Sequence, residues 1–358
     1  MMMTRKTFLR GSAATAVVAL AAPAIVRAGE TFNLTMASSH PTVLPWVGQL
    51  SSLVVGKTNA RLEAMGSADR VDWTEAYGGS LYGFKDTLEA VGDGLTDAGW
   101  VGTLWEGSKM PLQNMTYFAP FVSDDLVGTL KIMNELHREM PQLKDAWIDQ
   151  NTVFLGASGV ETYHLYTNFP VNSLADLEGR KILAPGPSAN WIKSLGAVPV
   201  NGALPTYYNQ IQTGVADGVV VIITGAFPNK HHEVASYVTL VGLGAQMTGG
   251  LGFNLDIWDG LSDDVKTVLT QLGEEYTVAH AEEVMARYET FLGKLPDAGA
   301  TVTELPAAEI DKWAAGLPDL AGEWAEANAS DGAAEVLDAY MAKVREAGLN
   351  PRIDWSKR

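Results

Sequence analysis

Short apolar runs alternate along the chain with segments whose apolar positions recur every three or four residues. Thr31–Met36, Val71–Ala76 and Asp97–Val101 have the length and alternation of strands. Between them a helix is predicted from near Pro45, and a second from the helical spacing of apolar residues across Leu81–Val91, stopped by Gly92-Asp93-Gly94. Strand and helix alternating at such short spacing predict an α/β fold, with a mostly parallel sheet covered by helices on both faces.

Further on, Thr152–Thr167 has strand propensity for long enough to pass from one lobe into another, and Gly218–Thr224 is an unbroken apolar run of the kind buried on both faces. Gly179–Ala184 predicts a strand, Pro185-Gly186-Pro187-Ser188 a turn, and Ala189–Leu195 a helix. Tyr237–Leu255, apolar and glycine-rich, is expected to return the chain to the first lobe. Ser262 followed by Asp263 and Asp264 marks the start of a long amphipathic helix that buries Val265, Val268, Leu269, Leu272 and Tyr276. Two more helices are expected, from Pro306 with Ile310, Trp313 and Leu317 inward, and through Val336, Leu337, Tyr340, Met341 and Val344. The expected division is lobe I over 29–155 plus about 244–275, and lobe II over 156–243 plus parts of 276–358. Several chain crossings between lobes permit hinge closure around a ligand.

The first 28 residues differ from the rest. Arg5, Lys6 and Arg10 precede an apolar stretch over 13–25 that is too short to span a bilayer comfortably, and Val26-Arg27-Ala28 offers small residues at the spacing of a cleavage site. This is the pattern of an export signal, with Thr-Arg-Lys-x-Phe-Leu-Arg similar to a twin-arginine leader carrying Lys for one Arg, so either export route stays open. The mature chain is expected to begin at Gly29. Losing the leader's four positive charges would take the net charge from −17 to −21. So acidic a chain does not suit nucleic acid or an anionic membrane face. With no cysteine there is no disulfide, thiolate metal site or cysteine nucleophile.

A series of motifs then carries a resemblance. Thr167–Ile182, Leu195–Pro199, Tyr208–Gly218 and His232–Tyr237, together with Gly79-Ser80-Leu81 and Asp93–Asp97 in the first lobe, resemble in order the TRAP-type solute-binding family of dicarboxylate and sialic-acid receptors. The likeness runs over essentially the whole mature chain. It implies two lobes of the type II periplasmic-binding-protein class, a periplasmic location and a solute held between the lobes. The solute is passed to the small and large membrane subunits of a permease, and the receptor is a monomer or a homodimer. No cofactor or metal is implied.

Where the family motif places an arginine that pairs with the solute's carboxylate, this chain has Leu183. A second basic position of some relatives falls at Tyr163, and the family's Gln-Glu-Asn after Asp217-Gly218 is here Val219-Val220-Val221. Polarity has been removed from the expected pocket in several places at once. A carboxylate buried without a cation is penalised, so a doubly charged acid fits poorly. Trp100 and Trp105, which follow a strand end that faces solute in the family, are the first candidates to fill the space. Trp46, His40, Leu204 and Tyr82 join the candidate ligand-binding set with Tyr163, Leu183 and Val221, and Phe84 is a weaker one. Glu75, with Glu161, is the counter-charge for a rival, cationic or amine solute caged by indoles. The leading expectation is an aromatic or hydrophobic monocarboxylate, and a ligand sensor for a signalling partner is a further alternative.

Other constellations lead nowhere. His231, His232 and Glu233, being adjacent, are expected to form a solvated helix end and not a metal site. Gly249-Gly250-Leu251-Gly252 lacks the residues of a phosphate loop and suggests a hinge or bulge. There is no GxSxG, HExxH or cysteine-based set, so the chain is not expected to be an enzyme.

Overall fold

In a computed structural model, which describes residues 29–358, the strands assemble into two sheets. The first contains β1 (Thr31–Ala37), β2 (Arg70–Ala76), β3 (Ala98–Val101), β4 (Thr152–Val160) and, from later in the chain, Gln246–Asn254. The second is built from β5 (Tyr163–Thr167), β6 (Lys181–Leu183), β7 (Val198–Val200), β8 (Gly218–Ile222), β9 (Tyr237–Leu240) and, last, Thr301–Glu304. With Gln246–Asn254 as β10 and Thr301–Glu304 as β11, the orders are β2-β1-β3-β10-β4 and β11-β9-β5-β8-β6-β7.

The sheets are mixed, not mostly parallel. β1 runs parallel to β2 and β3, with Thr31 opposite Arg70, but β10 is antiparallel to β3 and β4, and β5 is antiparallel to β8 and β9. The antiparallel strands are those entering or leaving a crossing, because a chain that passes into one sheet and later returns from it must run the opposite way.

Each sheet has its own core. Leu34, Met36, Trp100, Leu251 and Phe253 pack with Leu269, Leu272 and Tyr276 in one, and Leu165, Leu183, Trp191, Val220 and Trp313 belong to the other. The 32-residue helix Asp263–Lys294 serves both. It starts where the sequence predicts, with Ser262 Oγ accepting from the Val265 N–H at 3.3 Å. Its early face (Val265, Val268, Leu269, Leu272, Tyr276) lies in the first core, while Ala281 and Val284 lie in the second. The helices Ala307–Gly316 and Ala333–Glu346 also form as expected, with Trp313, Val336, Leu337, Tyr340, Met341 and Val344 buried.

The extended stretch Thr152–Thr167 is two strands, not one. Pairing in the first sheet runs to Val160, and after Glu161-Thr162 the chain enters the second sheet. The return passes through 241–245, where Gly242 and Gly244 adopt φ of +74° and +101°, a conformation that favours glycine. The two crossings are tied together, since Thr162 Oγ1 accepts from the Gly244 N–H at 2.9 Å and His164 Nδ1 from the Val241 N–H at 3.0 Å. Leu81–Val91 also departs from expectation. Only Thr87–Gly92 is helical, and Leu81 is exposed on the loop before it.

Candidate functional site

Between the sheets lies a cleft of about 820 Å³, its open mouth included. From the first sheet's side come His40, Trp46, Phe84, Trp100, Leu104 and Trp105; from the other come Tyr163, Pro185, the Gly202–Pro205 loop, Tyr207, Val221 and Ile222. Val160 and Thr248, at the ends of β4 and in β10, close the back. No Asp, Glu, Lys or Arg is among these lining residues.

Local structure explains how the rings converge. β3 delivers Trp100 to the cleft, where it is 2% exposed and donates Nε1–H to Ser158 Oγ at 2.7 Å. Three residues on, a single 3-10 turn brings Trp105 to the mouth, 40% exposed and edge-on to Phe84 at 5.3 Å. Gly102 lies between them. A Cβ there would stand 2.8 Å from the Trp100 ring and 3.2 Å from that of Trp105, so two indoles can flank this turn because the residue has no side chain. His40, on the loop after β1, packs edge-on to Trp100 at 5.0 Å and to Trp46 at 6.1 Å. It caps no helix. Its Nδ1 faces Ser39 Oγ at 3.3 Å, which leaves Nε2 for the cleft. Burial pulls the imidazole pKa below its ordinary value. Trp46 Nε1 is buried with no hydrogen-bond partner among the described residues.

The opposite wall is smoother. Val221 and Ile222 end β8, opposite His164 and Tyr163 of β5. The Tyr163 hydroxyl meets that of Tyr117 at 2.8 Å, and Trp191 backs both, stacked on Tyr117 at 5.8 Å with its Nε1–H donated to the Tyr117 carbonyl at 2.7 Å. Burial raises both phenol pKa values well above the ordinary one, so the pair is neutral. Tyr207 donates weakly to the Gly202 carbonyl at 3.4 Å.

Of the residues singled out from sequence, the fold brings His40, Trp46, Trp100, Trp105, Tyr163, Leu204 and Val221 to the cleft, together with Phe84. It does not bring Leu183, Glu75 or Tyr82. Leu183 is fully buried behind the wall, and its Cδ2 would be 3.0 Å from a Cβ at Gly202. Glu75 is exposed at the end of β2, near Tyr77. Tyr82 lies in a small core with Ala37 and Ala90. Glu161 is buried at the crossing, not in the cleft, with Oε1 accepting from the Thr224 N–H at 2.7 Å and Oε2 from the Thr224 hydroxyl at 2.8 Å. Burial, partly offset by these bonds, pushes its carboxyl up to about 7.

Sequence reasoning missed Leu104, Val160, Pro185, Gly202, Ala203, Pro205, Tyr207, Ile222 and Thr248. Tyr207 stands one helical turn after Leu204, so the i, i+3 relation to a residue already selected was a usable signal. Thr248 had none, since a β-bulge between Met247 and Gly249 re-aims that part of the strand. At Gly249 a Cβ would fall 1.9 Å from the Val101 carbonyl oxygen, so close backbone approach accounts for one glycine of this run. His231 and His232 are not a solvated helix end. Both are buried in a 3-10 turn, His231 edge-on to Tyr207 at 5.8 Å and His232 stacked on Phe227 at 5.1 Å. Among the described residues no group of three His, Cys, Asp or Glu is placed to hold a metal ion, and no helix is long and apolar enough to cross a membrane.

The family model for bacterial extracellular solute-binding protein, family 7 (DctP), matches residues 60–327. The chain belongs to that family. The C4-dicarboxylate-binding periplasmic protein DctP of Rhodobacter capsulatus is 34% identical over 140 residues, a stretch covering 38% of this chain and 40% of the relative. Solved structures share the fold at lower identity. A marine metagenome TRAP solute-binding protein specific for aromatic acid ligands, in complex with 3-hydroxybenzoate, superposes with a TM-score of 0.77 at 19% identity, covering 89% of this chain and 99% of the other. A Bordetella pertussis receptor, DctP7, which binds pyroglutamic acid, gives 0.71 at 18% identity over 86% and 99%. A Sulfitobacter protein with bound β-D-galacturonate gives 0.69 at 20% identity over 86% and 99%. The chain thus has the two-lobed α/β fold of the family 7 receptors. Tyr163, Tyr207 and Val221 lie inside the stretch that the family model matches, whereas His40 and Trp46 precede it.

Proposed function

We propose that this chain is the periplasmic receptor of a TRAP-type uptake system, that it encloses an aromatic or otherwise hydrophobic monocarboxylate between its lobes, and that it delivers it to small and large membrane subunits. Family membership supports the receptor role. The single observation that carries the solute class is the wall itself: six aromatic side chains (Trp46, Phe84, Trp100, Trp105, Tyr163, Tyr207) and no charged one. Rings and aliphatic groups favour a solute with a ring of its own, through burial and edge or offset packing. The lack of any arginine or lysine disfavours a second carboxylate, which would have to be desolvated without a cation. A cationic solute is disfavoured too, because Glu75 is at the surface and Glu161 is bound to Thr224 behind the wall. The solved relative described as specific for aromatic acids supports the same reading.

Calorimetric titration of the mature protein with benzoate and hydroxybenzoates, succinate, and choline or ethanolamine tests it. Saturable heat is expected from the aromatic acids and not from the other two sets. A ligand at a hundred times its Kd would add about 2.7 kcal/mol to the stability against unfolding. Binding of succinate in preference to the aromatic acids would overturn the solute class. Genes for two membrane subunits beside this one are the expected genomic setting.

A further inference from the structure

This inference rests on the monocarboxylate reading of the cleft and goes on to ask how such an anion is neutralised there. A carboxylate taken from water into a wall with no cation forfeits its hydration without a counter-charge. Among the residues that line the cleft, one side chain can become cationic near neutral pH, and that is His40. Its Nδ1 is occupied by Ser39 Oγ and its Nε2 is unpartnered, while the buried Nε1–H of Trp46, whose ring lies 6.1 Å away, has no acceptor among the described residues. On this stretch of wall the vacant imidazole nitrogen is the group that can meet a carboxylate oxygen, beside an indole N–H that still lacks an acceptor.

We infer that the solute's carboxylate enters together with one proton, which comes to rest on His40. The step balances simply: a carboxylate, a neutral imidazole and a proton from the buffer become a carboxylate hydrogen-bonded to an imidazolium, with no other bond made or broken. No charged side chain lines the cleft beside His40, and on the long helix packed behind its loop Arg287, bonded to the Val43 carbonyl, and Glu283, bonded to Gln49, are paired with each other. Ser38 and Ser39 flank it on its own loop, and the Ser38 Oγ accepts its backbone N–H at 3.2 Å. The helix Pro45–Gln49 presents Trp46, β3 presents Trp100, and the segment after β2 contributes the Gly78 N–H, donated to the His40 carbonyl at 3.0 Å. Across the cleft the titratable groups are Tyr163 and Tyr207, both kept neutral by burial. Glu75 faces outward and Glu161 faces Thr224. The free imidazole, whose pKa burial lowers, is therefore uncharged at pH 7, and the solute supplies the negative charge that makes its protonation favourable.

Calorimetry of benzoate or 3-hydroxybenzoate binding at pH 7 in phosphate and in Tris, buffers with very different ionisation heats, measures the protons taken up. Close to one per bound acid is expected, with affinity falling up to about tenfold per pH unit between about pH 6.5 and 8. Benzamide, a neutral ring of similar shape, is expected to bind with no proton uptake. His40→Gln is expected to abolish the uptake and to lower affinity for the acids about 10- to 100-fold while leaving benzamide within about threefold, a split that an unfolded or merely loosened variant would not give. Tight binding of the acids by the native chain with equal heats in both buffers and a flat pH profile overturns the inference but leaves the receptor reading intact. Uptake that persists in His40→Gln also overturns it. If none of the aromatic acids binds, the solute class itself falls, and this inference falls with it.

Discussion

The two walls of the cleft are built on opposite plans. The first-sheet wall is a set of large rings gathered from different elements, Trp100 from β3, Trp46 from the helix Pro45–Gln49, and His40 and Trp105 from a loop and a turn, with the rings of Trp100, Trp46 and His40 within 6.3 Å of one another and Trp105 left partly in water. The second-sheet wall is regular structure, the end of β8 lying against β5, with the two tyrosines as its polar groups and a second layer of Tyr117 and Trp191 behind it. Shape on one side thus depends on how several short elements meet and on one glycine without a side chain, whereas on the other it depends on a buried strand that tolerates little change. Under the proposed function, the grip on the solute would belong mostly to the rings and the stability of the scaffold mostly to the strands.

The largest expected effect is at the residue where the two plans meet. Trp100→Ala removes a buried ring and the indole N–H donated to Ser158 Oγ, and should cost about 3–5 kcal/mol in denaturant unfolding and more than about 100-fold in affinity for an aromatic acid. Next is Glu161→Gln, which acts on the scaffold alone. The folded carboxyl holds its proton to about pH 7, against 4.5 for an ordinary glutamate, so the folded state binds protons more tightly, and stability is lost as pH rises from about 4.5 through 7. The amide cannot ionise. The variant should therefore show a flatter profile and be about 1–3 kcal/mol more stable than the native chain at about pH 8, as read by urea unfolding at about pH 5 and pH 8. Val221→Ala is expected to cost about 1–2 kcal/mol of stability and no more than a few-fold in binding. Smallest of all in stability is Trp105→Ala at the mouth, which should leave the melting temperature within about a degree yet weaken an aromatic acid about five- to tenfold. Equal losses of stability and affinity at Val221 and Trp105 would erase the distinction between the walls.

The fold was legible because helices and strands carry their periodicity locally. Ser262 and the inward face of the helix it starts, the strand at Gly218–Ile222 and the ring-bearing segment Trp100–Trp105 could all be placed from residue order. What remained hidden depends on pairs distant in sequence. The break at Glu161-Thr162 is fixed by partners at Thr224 and Gly244, and the strand directions by the path of the returning chain. In the site, Leu183 occupies the position that a resemblance marked as solute-facing, yet the fold turns it behind Gly202. Glu75 and Tyr82 have chemistry suited to a cleft, but nothing in a strand end or a loop discloses which way it faces until its neighbours are known.

The partial exposure of Trp105 has an optical consequence. An indole that sits at the lip of the cleft, edge-on to Phe84 and open to solvent over 40% of its surface, will lose water when a solute seals the entrance. Its emission should then move to shorter wavelength, so the receptor carries an intrinsic fluorescent reporter of occupancy that needs no added dye.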